Sequence, residues 1–266
     1  MSNALIGYSG FVGGTLLRQA SFDALYRSTN IDQIDHREFD QVVCAGAPAQ
    51  KWLANRNPQD DRRQIESLIS HLKQVRCNRF ILISTVDVFK SPKGVHEGTE
   101  VDEGGLHPYG LHRRWLEKFV EGHFPNHLIV RLPGLVGPGL RKNVIFDFLN
   151  QNNIHAIESR SVFQFYPMVN LWFDVQAALQ KGLHLIHLTA EPVSVADVAL
   201  QGFGRSFAQR LESQPVCYDM QTQYAEVFGA KGRYQYSARE TFQAIRAYAQ
   251  SESNTLKAAS AQGELR

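Results

Sequence analysis

Residues 4–20, ALIGYSGFVGGTLLRQA, decide the fold. A short apolar run, Ala4 to Gly7, reads as a strand, and Phe11 to Ala20 reads as a helix; between and across them Gly7, Gly10 and Gly13 recur every third residue. Glycine permits the tight turn, lets backbone approach a bound group, and allows the helix to pack closely on the strand. The helix start adds free N–H groups and the positive end of its dipole, so a strand-turn-helix unit of this composition suits a pyrophosphate. Gly7, Ser9, Gly10, Phe11, Val12 and Gly13 are the candidate contacts of a dinucleotide-binding turn.

Outward from that unit the alternation continues. Strands are predicted at Ala24 to Tyr26, Gln41 to Cys44 (QVVC), Arg79 to Ser84 (RFILIS) and His127 to Leu132 (HLIVRL). Helices are predicted at Asp60 to Gln74, with Ile65, Leu68, Ile69 and Leu72 on one face, and at Tyr109 to Gly122. Apolar strands alternating with helices are the signature of an α/β fold, a Rossmann-type doubly wound parallel sheet. Past Pro138 the rhythm loosens: Asn143 to Asn150, Val195 to Phe207 and Ala238 to Gln250 read as helices, and Leu185 to Thr189 as a strand. The domain expectation is therefore a dinucleotide-binding domain at 1–140, a small C-terminal substrate lobe at 141–250 that partly returns to the sheet, and a flexible tail at 251–266.

Composition narrows the partner. The 28 basic and 26 acidic residues give a formal charge of +2 and are spread along the chain, so no polybasic stripe points to nucleic acid or a membrane. A small-molecule ligand is expected. Cys44, Cys77 and Cys217 are an odd number without metal-ligand spacing, which fits a reducing compartment and no metal site. The start of the chain has no signal-peptide pattern and no run reaches membrane-spanning length, so a cytoplasmic location is expected.

Two further features concern the cofactor. The second strand ends Tyr26-Arg27-Ser28, where a fold preferring NAD places an acid for the ribose hydroxyls. Arg27 at that position favours the 2′-phosphate of NADP over NAD, unless Asp32 or Asp35 takes the acid's part. Ala45, Gly46 and Ala47, with Pro48, follow the QVVC strand; they either let a dinucleotide lie close or form an ordinary strand-to-helix turn.

Three segments then follow in a telling order: RFILISTVDVF (79–89), HPYGLHRRWLEKFV (107–120) and LIVRLPGLVGPG (128–139). The chain here resembles the extended short-chain dehydrogenase/reductase superfamily, and within it nucleotide-sugar reductases of the dTDP-4-dehydrorhamnose reductase type and nucleotide-sugar epimerases. The resemblance implies Thr85, with Ser84 beside it, as the catalytic hydroxyl. It implies Tyr109 as the acid/base of a hydride transfer, and Pro133 and Gly134 as neighbours of the nicotinamide. It further implies a nucleotide-activated sugar or related hydroxy or keto compound as substrate, and a homodimer. The departure is Arg113, where the superfamily has lysine. Arginine keeps the charge but cannot release its proton, so either the chain is active with a modified proton path or it binds a dinucleotide without catalysis. Val86, where the reductases carry an acid, is a second departure.

The remaining groups carry weaker expectations. His107, His112 and His123 read as surface or capping residues, and Arg114 and Lys118 as a solvated helix face. Arg141 and Lys142 either meet a diphosphate or stand in a solvated loop. The aromatic stretch Phe163 to Pro167, with Trp172 and Phe173, belongs either to a pocket or to the core.

Overall fold

In the computed structural model, which describes residues 2–252, β1 (Asn3–Ile6) leads through the glycine turn into α1 (Phe11–Gln19) and on to β2 (Ala24–Tyr26). There follow β3 (Glu38–Cys44), α2 (Lys51–Arg56), α3 (Pro58–Leu72), β4 (Arg76–Thr85), β5 (Lys93–Val95), α4 (Pro108–His123) and β6 (His127–Leu132). The later elements are β7 (Gly134–Val136), α5 (Val144–Asn150), β8 (Val162–Phe163), β9 (Phe165–Pro167), α6 (Leu171–Gln180), β10 (Leu185–His187), β11 (Val193–Ser194), α7 (Val195–Asp197), β12 (Asp219–Met220) and α8 (Ala238–Ser251).

The main sheet is six-stranded and parallel, ordered β10-β6-β4-β3-β1-β2. Side chains alternate between its faces. Ile6, Val42, Cys44, Phe80 and Leu82 pack under α3 and α4, meeting Ile65, Leu72, Leu116 and Val120. Leu5, Val43, Ile81, Ile83 and Val130 face the other way, against Leu16 of α1 and Leu171 and Val175 of α6. Helices on both faces explain why RFILIS is apolar without alternation.

The chain leaves β1 in one direction to make β2 and returns on the other side to make β3, so the strand order reverses there. The carboxyl ends of β1 and β3 part at that point and open the crevice where such sheets bind ligands. Between β2 and β3 there is only a 3-10 turn at Ile31–Ile34, which leaves β2 as the edge. Its outward-facing groups are met by Asn30, whose amide donates to Leu25 O (3.1 Å) and accepts from Arg27 N (2.7 Å). At the opposite edge His187 N donates to Glu97 Oε1 (2.9 Å) and His187 O accepts from Gln235 Nε2 (2.8 Å).

The late segments pair β7 with β9 and β8 with β11 around a cluster that includes Ile145, Phe148, Phe165, Val195 and Ile245, while β12 pairs with β5 over a separate cluster of Val86, Val88, Phe89, Val95 and Met220. β10 returns to the main sheet. The helix expected over Val195 to Phe207 is shorter. After α7 the backbone widens into π-turns through Gly202, and Gly204, at φ +67°, ends them; a side chain at Gly202 would press on Ile245, 2.5 Å away. Sequence periodicity carried that helix too far because it does not register a left-handed glycine stop. The tail expected from residue 251 lies, beyond Glu252, outside the described residues. Among the described residues no helix is long and apolar enough to cross a membrane.

Candidate active site

The carboxyl ends of the sheet open into a cavity of about 1560 Å³ that extends toward Phe163, Phe165 and Tyr218. The glycine turn forms one wall. Gly7 sits at φ +85°, and a Cβ there would lie 2.3 Å from Ala45 O. Gly10 begins α1 without any side-chain cap, which leaves the first N–H groups of the helix free. Ser9, Gly10, Phe11 and Val12 line the cavity with Gly7; Gly13 does not. A Cβ on Gly13 would meet Gly7 O at 2.1 Å, so this third glycine packs helix on turn. Ala45, Gly46 and Ala47 line the facing wall, and a Cβ on Gly46 would stand 2.9 Å from Ile6. Small residues are required there by close approach.

Arg27 closes the far end. Its Nε donates to Thr29 Oγ1 (2.9 Å), and its guanidinium stands 5.9 Å from the centre of the Tyr8 ring. Asp35 is instead paired with His71 (2.8 Å), and neither Asp35 nor Asp32 reaches the cavity. Ser28 and, from α3, Arg63 and Asp60 complete this end; the last two form an ion pair.

The reactive end is set by two local constraints. Thr85 ends β4 and its Oγ1 accepts from Asp87 N (3.1 Å), capping the short turn Val86–Val88. Pro108 opens α4 with His107 as its cap, and Gly110 lies so close to Asp87 O that a Cβ would be 2.0 Å from it. The helix start is therefore pressed onto the turn, which brings Tyr109 beside Thr85. Burial pushes the Tyr109 phenol above its usual value, although the Arg113 guanidinium and the Thr85 hydroxyl both pull it down. Pro133 and Gly134, at the end of β6, line the same cavity.

Ser84 has a different role. Its Oγ donates to Glu117 Oε1 (2.6 Å), and the fully buried Glu117 also accepts from Arg131 (2.7 and 2.9 Å) and Arg114 (3.0 Å). The hydroxyl hydrogen of Ser84 is thus committed to the interior, leaving Thr85 as the hydroxyl at the reactive end.

Arg113 is fixed by four hydrogen bonds. Nη1 and Nη2 grip the buried Asp61 at 2.5 and 2.8 Å, Nη1 also reaches Tyr109 O (3.1 Å), and Nη2 donates to Pro48 O. Its Cζ lies 3.9 Å from the centre of the Tyr109 ring. His112 Nδ1 is 2.7 Å from the same carboxylate, so His112 is a core residue and not a surface one. Arg114 likewise is not a solvated charge, being held by Glu117 and Glu121. Both readings failed because the acids that hold these side chains come from distant sequence or from the same helix.

Sequence reasoning missed a cluster across from Tyr109. Lys51 Nζ donates to Asp87 Oδ1 (2.7 Å) and to Tyr218 OH (3.2 Å), and Tyr218 OH donates to the same carboxylate oxygen (2.9 Å). Burial pushes the Tyr218 phenol up to about 12. Asp87 stands inside the STVDVF stretch and was open to notice; Lys51 and Tyr218 carry no local signal. Lys142 also lines the cavity, donating to Ala49 O, with burial lowering its pKa; Arg141 does not line it. Of the aromatic stretch, Phe163 and Phe165 face the cavity, Tyr166 is core, and Phe173 is exposed.

Comparison with known proteins supports the fold. No protein-family profile and no curated protein matches the chain. Among solved structures it is similar to a dTDP-4-dehydrorhamnose reductase from Yersinia enterocolitica, at 15% identity and TM-score 0.72, covering 94% of this chain and 99% of that one. It is also similar to RMD from Pseudomonas aeruginosa complexed with NADPH (15%, TM-score 0.69, 94% and 99% covered). A third similar structure is the UDP-glucuronic acid 4-epimerase from Bacillus cereus in complex with NAD (17%, TM-score 0.65, 94% and 97% covered). At these identities the likeness is one of fold: the chain has the Rossmann-type architecture of these enzymes over nearly its whole length, as the resemblance of its motifs implied.

Proposed function

We propose that this chain is a nicotinamide-dinucleotide-dependent oxidoreductase or epimerase of the extended short-chain dehydrogenase/reductase kind, acting on a nucleotide-activated sugar or a related hydroxy or keto compound. The observation that carries the reading is that Thr85 and Tyr109 meet at one end of a cavity whose other end is walled by the glycine turn. The residues fit the cofactor: Gly7, Ala45 and Gly46 leave a cradle that side chains would fill, and the uncapped start of α1 faces it. A bound nicotinamide supplies or accepts the hydride.

Within that frame Thr85 donates a hydrogen bond to the substrate oxygen, and Tyr109 moves the proton at that oxygen. Burial holds Tyr109 protonated at neutral pH, which suits donating the proton as a carbonyl becomes an alcohol. Arg113 acts as a positioning residue, stacked on the phenol ring and keeping positive charge beside it. Arg27 and Arg63, with no free acid at the ribose position, favour NADPH over NADH.

A second reading has one observation in its favour. The charge of Arg113 is largely answered by Asp61, so the phenolate receives less help than a free cation would give. On that reading the chain binds the dinucleotide and does not turn over. The test is nicotinamide fluorescence titration with NADPH and NADH, followed by turnover assays on nucleotide-linked keto sugars. Binding with hydride loss from NADPH supports the enzyme; binding with no exchange against any such substrate supports the second reading; failure to bind either nucleotide removes both.

A further inference from the structure

A smaller chamber of about 250 Å³ adjoins the reactive end of the main cavity. Lys51, Asp87, Val216 and Tyr218 line both spaces, so the Lys51–Asp87–Tyr218 cluster is the wall between them. Beyond this wall the chamber is bordered by Lys90, Lys93 and His107. Three lysines thus border a space that holds one carboxylate, and Asp87 already receives Lys51 and Tyr218 on a single oxygen.

The other two cations have no anionic partner. Among the described residues neither Lys90 nor Lys93 forms an ion pair. Asp219 lies opposite Lys93 in the β5–β12 register, but its carboxylate accepts from Tyr234 OH (2.7 Å) and Gln221 Nε2 (2.9 Å) and does not line the chamber. His107 adds a donor, because its Nδ1 accepts from Gly110 N (3.0 Å) and the hydrogen of the neutral ring must then sit on Nε2. A small space lined by unanswered cations and a ring N–H is suited to an anion.

Resting on the assignment of Thr85 and Tyr109 as the reacting corner, we propose that this chamber holds a carboxylate carried by the sugar itself, so that the substrate class is a nucleotide-linked sugar acid. The nucleotide occupies the main cavity beneath the lobe, the reacting carbon stands at Tyr109, and the acid group passes Lys51 to reach Lys90 and Lys93. Lys51 then exchanges part of its bond with Asp87 for one with the substrate.

The test uses the Lys90→Ala/Lys93→Ala double variant, in which two exposed side chains are shortened without touching Thr85, Tyr109 or the glycine turn. Inorganic phosphate is first titrated calorimetrically into wild type and variant, with and without NADP. Affinity at least fivefold weaker in the variant is expected from losing two partly exposed cations. Equal affinity overturns the chamber as an anion site, whatever the main cavity binds. UDP-glucuronate and UDP-glucose, which differ by one carboxylate, are then compared on the NADP-loaded protein. The wild type is expected to prefer UDP-glucuronate by at least tenfold and the variant to lose that preference. Equal binding of the two by the wild type overturns the sugar-acid assignment. Binding of neither, with phosphate still discriminating wild type from variant, retains the anion chamber and removes the nucleotide-sugar reading beneath it.

Discussion

Replacing Arg113 by lysine restores the residue that the resembled enzymes carry four positions after the tyrosine, and the structure predicts that this damages the protein. The guanidinium spans both oxygens of the buried Asp61 and the carbonyls of Pro48 and Tyr109. An ammonium on a shorter stem keeps the charge and one carboxylate oxygen, but the planar fork is lost. Two hydrogen bonds to buried acceptors disappear, each worth about 1 to 1.5 kcal/mol, so Arg113→Lys should cost about 2–3 kcal/mol. For a domain of this size that lowers Tm by roughly 5–10 °C. The Tyr109 ring also loses its stacked partner, so turnover should fall even where the variant is fully folded. Urea denaturation, with the slope checked to be unchanged, and single-turnover oxidation of NADPH measure the two effects. A variant with unaltered midpoint and faster turnover would refute the argument, for it would mean that Arg113 is a replaceable catalytic cation and not an anchor.

Three other outcomes are expected. Tyr109→Phe removes the proton donor at the reacting oxygen and should lower turnover by about 10²–10⁴-fold while leaving NADPH affinity within a few-fold; undiminished turnover would remove the assignment. Arg27→Ala and Arg63→Ala should each weaken NADPH binding without weakening NADH, as read by nicotinamide fluorescence, and equal losses for both nucleotides would show that neither arginine meets a 2′-phosphate. Asp174 accepts hydroxyl hydrogens from Tyr166 (2.5 Å) and Tyr236 (2.8 Å), and burial raises its pKa from 3.8 to about 6. An acid raised in the folded state binds its proton more tightly there, so this group adds stability as pH falls through 6 and withholds it above. Asp174→Asn should therefore be stabilising relative to wild type at pH 7.5 by about 2 kcal/mol more than at pH 4.5, and a pH-independent difference in urea midpoints would contradict this.

The parts of the fold that could be read early were those written in consecutive residues. Gly7, Gly10 and Gly13 are local, as are the apolar runs of β4 and β6, and each found its expected element. Thr85 and Tyr109 were legible because each lies in a short pattern, although their meeting depends on Gly110 fitting under Asp87 O. What remained hidden was pairing across distance. Nothing near Arg113 announces that Asp61, 52 positions earlier, will hold it, and nothing near Lys51 announces Tyr218. Ser84 and Thr85 are neighbours with equal chemistry; only strand alternation, which turns one inward to Glu117, separates them. The segments after β7 were the least legible, since their two-residue strands carry no period.

The short edges of the main sheet bear on how the protein behaves when concentrated. An open sheet normally ends in a row of unused N–H and C=O groups that can recruit a strand from another copy. Here β2 and β10 are three residues each, and the side chains of Asn30, Glu97 and Gln235 occupy Leu25 O and Arg27 N at one edge and His187 N and O at the other. Strand addition is thereby disfavoured on either side, since an incoming strand would have to displace these bonds. Loss of these side chains is therefore expected to show first as turbidity of the concentrated protein, at unchanged activity.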